Sequence, residues 1–510
     1  MSEPFYLTTA IFYANAGPHL GSALEIVAAD AFARFKRLQG HDVFLLTGTD
    51  EHGQKIAKKA AELGLEPRAL VDRNVEAFKA QFAALNIEES RFIRTTEEAH
   101  KARVVQMIET VRAKGDLTKG LYEGWYCTPC EAFWSQGQLK DAACPTCARA
   151  VEKDREEVWF FRQSKYGPAV LEEFRRNPAW VHPEGRGREM VNNFLAPGLE
   201  DVAVSRSRAK VPWGIPFPGD PDHVVYVWFD ALTNYLSGSP LWPADLHIVG
   251  KDILRFHTTT WPAMLLSAGL PLPKRFFAHG WVLTDDGSKM SKSAGTVIDP
   301  TALIAQYQQL GVAPGLAGDV LRYALLREAP LAQDFVLTEG IVEGRYTRDL
   351  ANDLGNLLSR TVSMTEKYLD GLVPAPEGER EGLTLPDKAE FVRAVEHLEF
   401  NRALEQAWGL ISRANQLVDQ AKPWVLAKDP AQKPRLSAVL RSLLEALQAA
   451  SVLAWPVLPK ACEEIRRRLG LPEKPVSLDE AWHPGTLKTG TKLTAGTPLF
   501  PRPEKKTPAA

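Results

Sequence analysis

The chain lacks a surplus of either charge: 61 Lys and Arg stand against 63 Asp and Glu, for a net charge of −2. A protein that coats nucleic acid without regard to sequence is usually clearly basic. Any nucleic-acid partner must therefore be met by local patches. No apolar run reaches the ~18 residues that span a bilayer. The N-terminal stretch has no basic region followed by an apolar core, so it does not read as a secretory signal. Cysteine is scarce, five in 510 residues, yet four of the five crowd between Cys127 and Cys147. In the cytoplasm, the compartment expected here, clustered thiols point to metal rather than to disulfides. Hydrophobic residues at 45% and charged residues at 24% exclude a disordered chain, a collagen or a small disulfide scaffold.

The length suits about three domains. Phe5 to Tyr13 is rich in β-branched and aromatic residues and is broken by Asn15, Gly17 and Pro18. Leu24, Val27, Ala31 and Phe35 then follow a helical period, and Val43 to Leu46 reads as a buried parallel strand. This alternation predicts an α/β, Rossmann-like body. It is interrupted by a turn- and tryptophan-rich insertion and gives way to a run of amphipathic helices. The expected boundaries are 1–114 and 223–300 for the two halves of the α/β body and 115–222 for the insertion. A connecting region at 301–345 ends the catalytic body, an all-α bundle covers 346–469, and 470–510 is an irregular tail.

Cys127-x-x-Cys130 and Cys144-x-x-Cys147 have the spacing of a zinc knuckle. Four thiolates close a tetrahedral Zn²⁺, so one structural ion is expected, with no open position for catalysis. Two disulfides or four free thiols are the alternatives, and Cys462 reads as an ordinary buried thiol.

Two further segments suggest nucleotide chemistry. Pro18-His19-Leu20-Gly21-Ser22 lies between the first strand and the first helix, where an open α/β sheet takes its ligands. A helix N-terminus there favours phosphate, His19 adds a donor, and Gly21 lets a flat ring approach the backbone. Lys289-Met290-Ser291-Lys292-Ser293 puts two lysines on a glycine-flanked loop, suited to a leaving pyrophosphate. Alone, the first is equally a plain turn and the second a solvated basic turn.

Together and in this order they resemble the class I aminoacyl-tRNA synthetases, whose signatures are His-Ile-Gly-His and Lys-Met-Ser-Lys-Ser. Gly48-Thr49-Asp50-Glu51-His52-Gly53, Tyr226-Val227-Trp228-Phe229-Asp230-Ala231, Gly250-Lys251-Asp252, Phe256-His257 with Trp261, and Lys422-Pro423-Trp424 narrow the resemblance to the methionyl-tRNA synthetase family. The insertion is too small for a hydrolytic editing domain, which relatives selecting other aliphatic side chains need. The first strand has no cysteine, unlike a cysteine-specific enzyme.

The resemblance implies a methionine–tRNA ligase acting through methionyl-adenylate. Its methionine pocket would be Ile11, Tyr13, Asp50, Trp228, Ala231, Leu232, Tyr235, His257 and Trp261. Aromatic rings suit a thioether, Tyr235 or His257 would reach toward sulfur, and Asp50 would hold the ammonium. ATP, with Mg²⁺, would lie on His19, Gly21, Ser22, Gly250, Asp252, Leu283, Lys289 and Lys292. Asp252 would take the ribose and the Leu283 backbone the adenine. His19, Ser22, Lys289 and Lys292 would form the catalytic set. Trp228 and Trp261 read equally as core, and Asp50 as a helix cap.

The helical bundle would bind the anticodon of tRNA(Met), initiator tRNA included. Asn356 and Arg360 would read base edges and Trp424 would stack. Arg175, Arg176, Arg186, Arg188, Arg206, Arg208 and Lys210 are candidate tRNA contacts. With no further C-terminal domain, a monomer is expected, with no membrane partner. Two positions depart from the family pattern: Ser22 where His is usual, and Thr296 where Asn is common. Ser22 leaves one rival, a weakened paralogue that only binds tRNA or methionine.

Overall fold

The computed structural model describes residues 3–128, 130–134, 136–145, 147–288, 298–376 and 383–502. The first strand, β1 (Pro4–Thr9), breaks at Ala10 and Ile11 and resumes as β2 (Phe12–Tyr13). After helix α1 (Leu20–Leu38) come β3 (Asp42–Asp50), β4 (Arg91–Arg94), β5 (Val181–His182), β6 (Leu246–Gly250) and β7 (Phe276–His279). These strands form one seven-stranded sheet in which every pairing is parallel. β1 has β3 on one side and β6 on the other; β7 and β5 follow beyond β6. Winding reverses at β1, so the crevice outside the carboxyl ends of β1 and β6 is the ligand position for an open sheet. Leu45, Leu46, Leu246, Ile248 and Val249 are all fully buried, as a strand covered on both faces requires.

The insertion is less self-contained than its 115–222 boundaries imply. Leu117–Cys127, Ala132–Trp134, Glu152–Phe161 and Val202–Ala203 do form a separate four-stranded antiparallel sheet. Val181–His182, however, leaves the insertion and joins the parallel sheet beside β7. Two residues carry too little local pattern to announce that pairing. The connecting region also returns to the body, because Phe335–Val336 pairs with Val282–Leu283.

The helices Asn356–Leu369, Lys388–Glu396, Phe400–Ala421, Lys433–Leu453 and Pro459–Arg468 form the expected bundle. The stretch Pro430–Leu453 is long and apolar enough to cross a membrane, but nearly all of it packs inside the fold. The tail is irregular as expected, and it packs: Leu487, Leu493, Leu499 and Phe500 are buried, and the Tyr346 hydroxyl donates to the Pro501 carbonyl.

One continuous core joins α1, the sheet and the bundle. A charged knot runs through it. Arg322 is fully buried and meets Asp30 of α1 at 2.6 Å. It also donates to the carbonyls of Val457 (2.8 Å), Pro456 (2.8 Å) and Leu85 (3.0 Å). Asp30 holds Arg34 as well, at 2.8 Å. Breaking one partner of a buried pair typically costs about 3–5 kcal/mol. Arg322→Leu should lose that much, read as a lower midpoint in urea unfolding. An unchanged midpoint would show that the knot does not hold body and bundle together.

Candidate active site

The first signature is built as a helix start. His19 is the N-cap of α1, and its Nδ1 accepts from the backbone N–H of Gly21 (3.0 Å) and Ser22 (3.3 Å). Nδ1 is therefore unprotonated and the ring proton sits on Nε2, at the positive end of the helix. A Cβ at Gly21 would lie 2.9 Å from His19 Cε1. The glycine is thus required by the histidine's own ring folding back, and not only by a ligand. Ser22 completes a capping box: its Oγ accepts from the His19 N–H (3.0 Å) and donates to the His19 carbonyl (2.7 Å). Its hydroxyl is committed to the backbone, which corrects the expectation of a donor aimed at phosphate.

Behind this helix start is a pair that sequence reasoning missed. Glu25 is buried on α1, accepts from the Ala10 N–H (2.8 Å), and meets His279 Nε2 at 2.8 Å. Burial raises the Glu25 pKa. Burial also depresses His279, but Glu25 outweighs that and raises it. The available signal was an acid in the apolar run Ala23-Leu24-Glu25-Ile26-Val27, which demands a partner. Gly250 ends β6 opposite His279 and Asp252 follows it, and a Cβ at Gly250 would come 2.7 Å from Asp252 Oδ1 and 3.7 Å from His279 Nε2. Leu283 lies on a strand, and its carbonyl is taken by the Leu337 N–H (3.2 Å), so only the rest of its backbone remains for adenine. Lys289 and Lys292, with Thr296, lie outside the described residues.

The residues expected of the methionine pocket fall in two groups, one at the ends of β2 and β3 and one of packed aromatic rings. Tyr13 pairs with Asp50 across β2 and β3, and Ile11 precedes them. Trp228, Ala231 and Leu232 share the short helix Val227–Leu232. Trp228 stacks on Phe256, ring centroids 3.9 Å apart, and meets His257 edge-on. Tyr235, Trp261 and Leu232 are almost wholly buried and form the floor, while Ile11, Tyr13 and Trp228 are half-buried. Trp261 is fully buried, as the core reading has it.

Tyr235 and His257 do not offer the donor expected of them. His257 Nδ1–H donates to the Ile253 carbonyl (2.9 Å), so Nε2 accepts from the Tyr235 hydroxyl (2.7 Å). Burial pushes the His257 pKa down to about 4, so the ring is neutral. The two side chains satisfy each other and present lone pairs and ring faces.

Asp50 is the unsatisfied carboxylate among these residues. It is buried, and its Oδ1 has no hydrogen-bond partner. Burial, then the charges of Asp230 and Glu131, push its pKa well above the usual carboxylate range. A buried acid surrounded by negative charge is a receptor for a cation. It caps no helix: the following one, Gln54–Glu62, starts from Gly53. Asp230, another missed residue, is compensated, with His52 Nδ1 and His100 Nε2 both at 2.7 Å. Burial opposes its ionisation, but the two histidines outweigh this and hold its carboxyl down at about 2. Glu51 is held by Arg94 at 2.7 and 3.0 Å.

The four knuckle sulfurs lie within 4.8 Å of one another, with Cys127–Cys147 at 3.6 Å and Cys130–Cys144 at 3.9 Å. A tetrahedral ion with ~2.3 Å zinc–sulfur bonds sets its sulfurs about 3.8 Å apart, whereas a disulfide needs about 2.05 Å. The thiols fit the ion. At the far end, Arg360 pairs with Asp419 (2.9 Å), on the helix that leads into Lys422-Pro423-Trp424. Trp424 is 41% exposed and Asn356 starts the helix that carries Arg360, so these three residues share one end of the bundle. Among the candidate tRNA contacts, Arg206 is buried against Asp154 and Glu156, which removes it as a surface charge. Lys210, Arg175, Arg176, Arg186 and Arg188 are ion-paired with neighbouring acids.

Because the Asp230 carboxyl titrates below its ordinary 3.8, its stabilisation is present above about pH 4 and is lost as pH falls toward 2. Asp230→Asn should cost roughly 2 kcal/mol at pH 7 and flatten the acid limb of the stability curve. Urea midpoints from pH 2 to 7 test this, and parallel curves would refute it.

The family model described as tRNA synthetases class I (M) matches residues 5–156 and 135–362. The anticodon binding domain of methionyl tRNA ligase matches residues 384–507. The methionine–tRNA ligase of Clostridium tetani is 45% identical over 521 residues, covering 98% of this chain and 78% of that protein. That of Bacillus subtilis is 45% identical over 537 residues, covering 99% and 78%. The Mycobacterium tuberculosis methionyl-tRNA synthetase in complex with methionyl-adenylate has a TM-score of 0.89 at 40% identity, over 98% of this chain and 100% of that one. Its free form has a TM-score of 0.83 at 36% identity, over 98% of each chain. The chain belongs to the methionyl-tRNA synthetase family, class I ligases that form aminoacyl-tRNA.

Proposed function

We propose that the crevice beside β1 and β6 makes methionyl-adenylate from methionine and ATP and passes the methionyl group to tRNA(Met), elongator and initiator alike. The observation that carries the residue assignment is Asp50, a buried carboxylate with an unpaired oxygen beside an aromatic cluster. An α-ammonium there supplies the missing partner and restores the charged acid. The side chain then runs toward Trp228, Tyr235, His257 and Trp261, where ring faces receive the thioether.

The methionine carboxylate oxygen attacks the α-phosphorus of ATP in line, and the bond to the β-phosphate oxygen breaks. No protein nucleophile takes part; positioning and charge stabilisation do the work. His19 Nε2–H and the N-terminus of α1 donate to phosphate, Asp252 takes the ribose, and Lys289 and Lys292 receive the leaving pyrophosphate. Mg²⁺ bound with ATP neutralises phosphate charge. In the second step a terminal ribose hydroxyl of tRNA attacks the activated carbonyl and AMP departs. Cys127, Cys130, Cys144 and Cys147 hold one structural Zn²⁺. Asn356, Arg360 and Trp424 read the anticodon. The protein works as a cytoplasmic monomer: the exposed large apolar side chains of the described residues are scattered, apart from the neighbours Trp424 and Val425.

ATP–pyrophosphate exchange across the amino-acid panel tests the reading, with methionine alone expected to support it. Asp50→Asn should raise the methionine KM about 10- to 100-fold, the worth of a charged hydrogen bond, and leave the ATP KM within about twofold. Equal loss for both substrates would remove Asp50 from the ammonium site. Ser22→Ala should keep exchange and cost about 1 kcal/mol of stability, as loss of a cap does. Abolished exchange would return Ser22 to the catalytic set.

A further inference from the structure

The knuckle sends one side chain into the pocket. Glu131, directly after Cys130, is buried, and its backbone is left-handed with φ 48°, a conformation few non-glycine residues adopt. Its Oε2 accepts from the Tyr13 hydroxyl (2.9 Å), and its Oε1 accepts from the Lys55 N–H (3.1 Å). Its carbonyl accepts from the Tyr226 hydroxyl. Lys55 lies in the first turn of the helix Gln54–Glu62, whose N-cap, Gly53, has no side chain to cap it. Glu131 therefore caps that helix from another part of the chain. It also clamps the segment Asp50–Gly53 against Tyr13. The fit is close: a Cβ at Gly53 would lie 2.7 Å from the Tyr13 hydroxyl and 2.8 Å from Glu131 Oε1.

We propose that Glu131 is the positioning residue through which the four-cysteine knuckle sets the ammonium end of the methionine pocket. The inference rests on the pocket assignment above. The knuckle turn fixes the left-handed backbone of Glu131, and the carboxylate fixes Tyr13 and the start of the helix after Asp50. The register pair of Tyr13 and Asp50 then holds the ammonium receptor in place. The metal site and the substrate site are thus coupled, with Glu131 as the link.

The test uses the full zinc-loaded chain. Methionine affinity is measured by calorimetry, metal content by colorimetric zinc release, and folding by circular dichroism. Glu131→Ala should weaken methionine about 10- to 100-fold, as loss of an outer-shell group does, with the ATP KM within about twofold and zinc still one per chain. Glu131→Gln keeps one acceptor and should recover part of the loss. Stripping zinc from the wild type should weaken methionine, and stripping it from Glu131→Ala should add nothing. Wild-type affinity in Glu131→Ala, loss of its zinc, or an equal penalty for stripping in both proteins would each overturn the proposal. Asp50→Asn separates the two readings. If it weakens methionine while Glu131→Ala does not, only this inference fails; if neither weakens it, the pocket assignment fails.

Discussion

Burying carboxylates at the carboxyl edge of a parallel sheet is costly, and the way each one is compensated organises this protein. Glu25, Asp50, Glu51, Glu131 and Asp230 are all buried there. A buried carboxylate must be paired or take up a proton. Glu51 takes Arg94, Asp230 takes two histidines, Glu25 takes His279, and Glu131 takes a tyrosine hydroxyl and a helix N–H. Every one of these pairs ties together segments far apart in the chain. Compensation therefore fixes the loops above the sheet more firmly than apolar packing alone would. Asp50 Oδ1 is the exception, and this is the observation behind its proposed role as the ammonium receptor.

The helix behind the nucleotide site links that chemistry to the RNA end. The N-terminus of α1 carries His19, and its last turn carries Lys36 and Arg37. Lys36 meets Glu396 of the bundle at 2.5 Å, and Asp30 in the middle of α1 meets Arg322. A rigid helix of 19 residues, buried along nearly its whole length, thus fixes the distance between phosphate chemistry and the helical bundle. That suits an enzyme that must recognise one end of a long RNA and react with the other. Hinging here would break an ion pair at 0% exposure on both sides, so the penalty for flexing is large.

Much of this was legible in the sequence where the signal was local. Strand, loop and helix around His19 and the knuckle spacing came from short patterns, and the expected pocket residues came from the family resemblance those patterns carry. What escaped was non-local. Val181–His182 joins the sheet because space remains beside β7, not because two residues declare a strand. The tail reads as irregular, yet Phe500 and Leu499 are buried, since a Pro-rich segment packs without periodicity. Glu25, Asp230 and Glu131 are single acids whose meaning lies in His279, His52, His100, Tyr13 and Lys55, between 76 and 254 positions away. Ser22 has a second role that its motif position did not suggest: local hydrogen bonding makes it part of the helix cap.

On the proposed assignment, selectivity follows from what the pocket withholds. A neutral His257 and Tyr235 use up each other's N–H and O–H, and Trp228, Trp261 and Phe256 surround the same space with rings, with the Trp261 indole N–H left as a buried donor without a partner. A thioether loses little on leaving water and gains contact with aromatic faces. A hydroxyl or amide of similar length would be desolvated with at most the Trp261 indole N–H to meet it, and its own N–H or O–H would lack an acceptor among these rings. A shorter aliphatic chain would leave part of the floor uncovered, which discriminates only modestly. Polar analogues are thus refused by chemistry and short apolar ones by shape. Asp50, which sees only the ammonium common to all amino acids, provides affinity without choice.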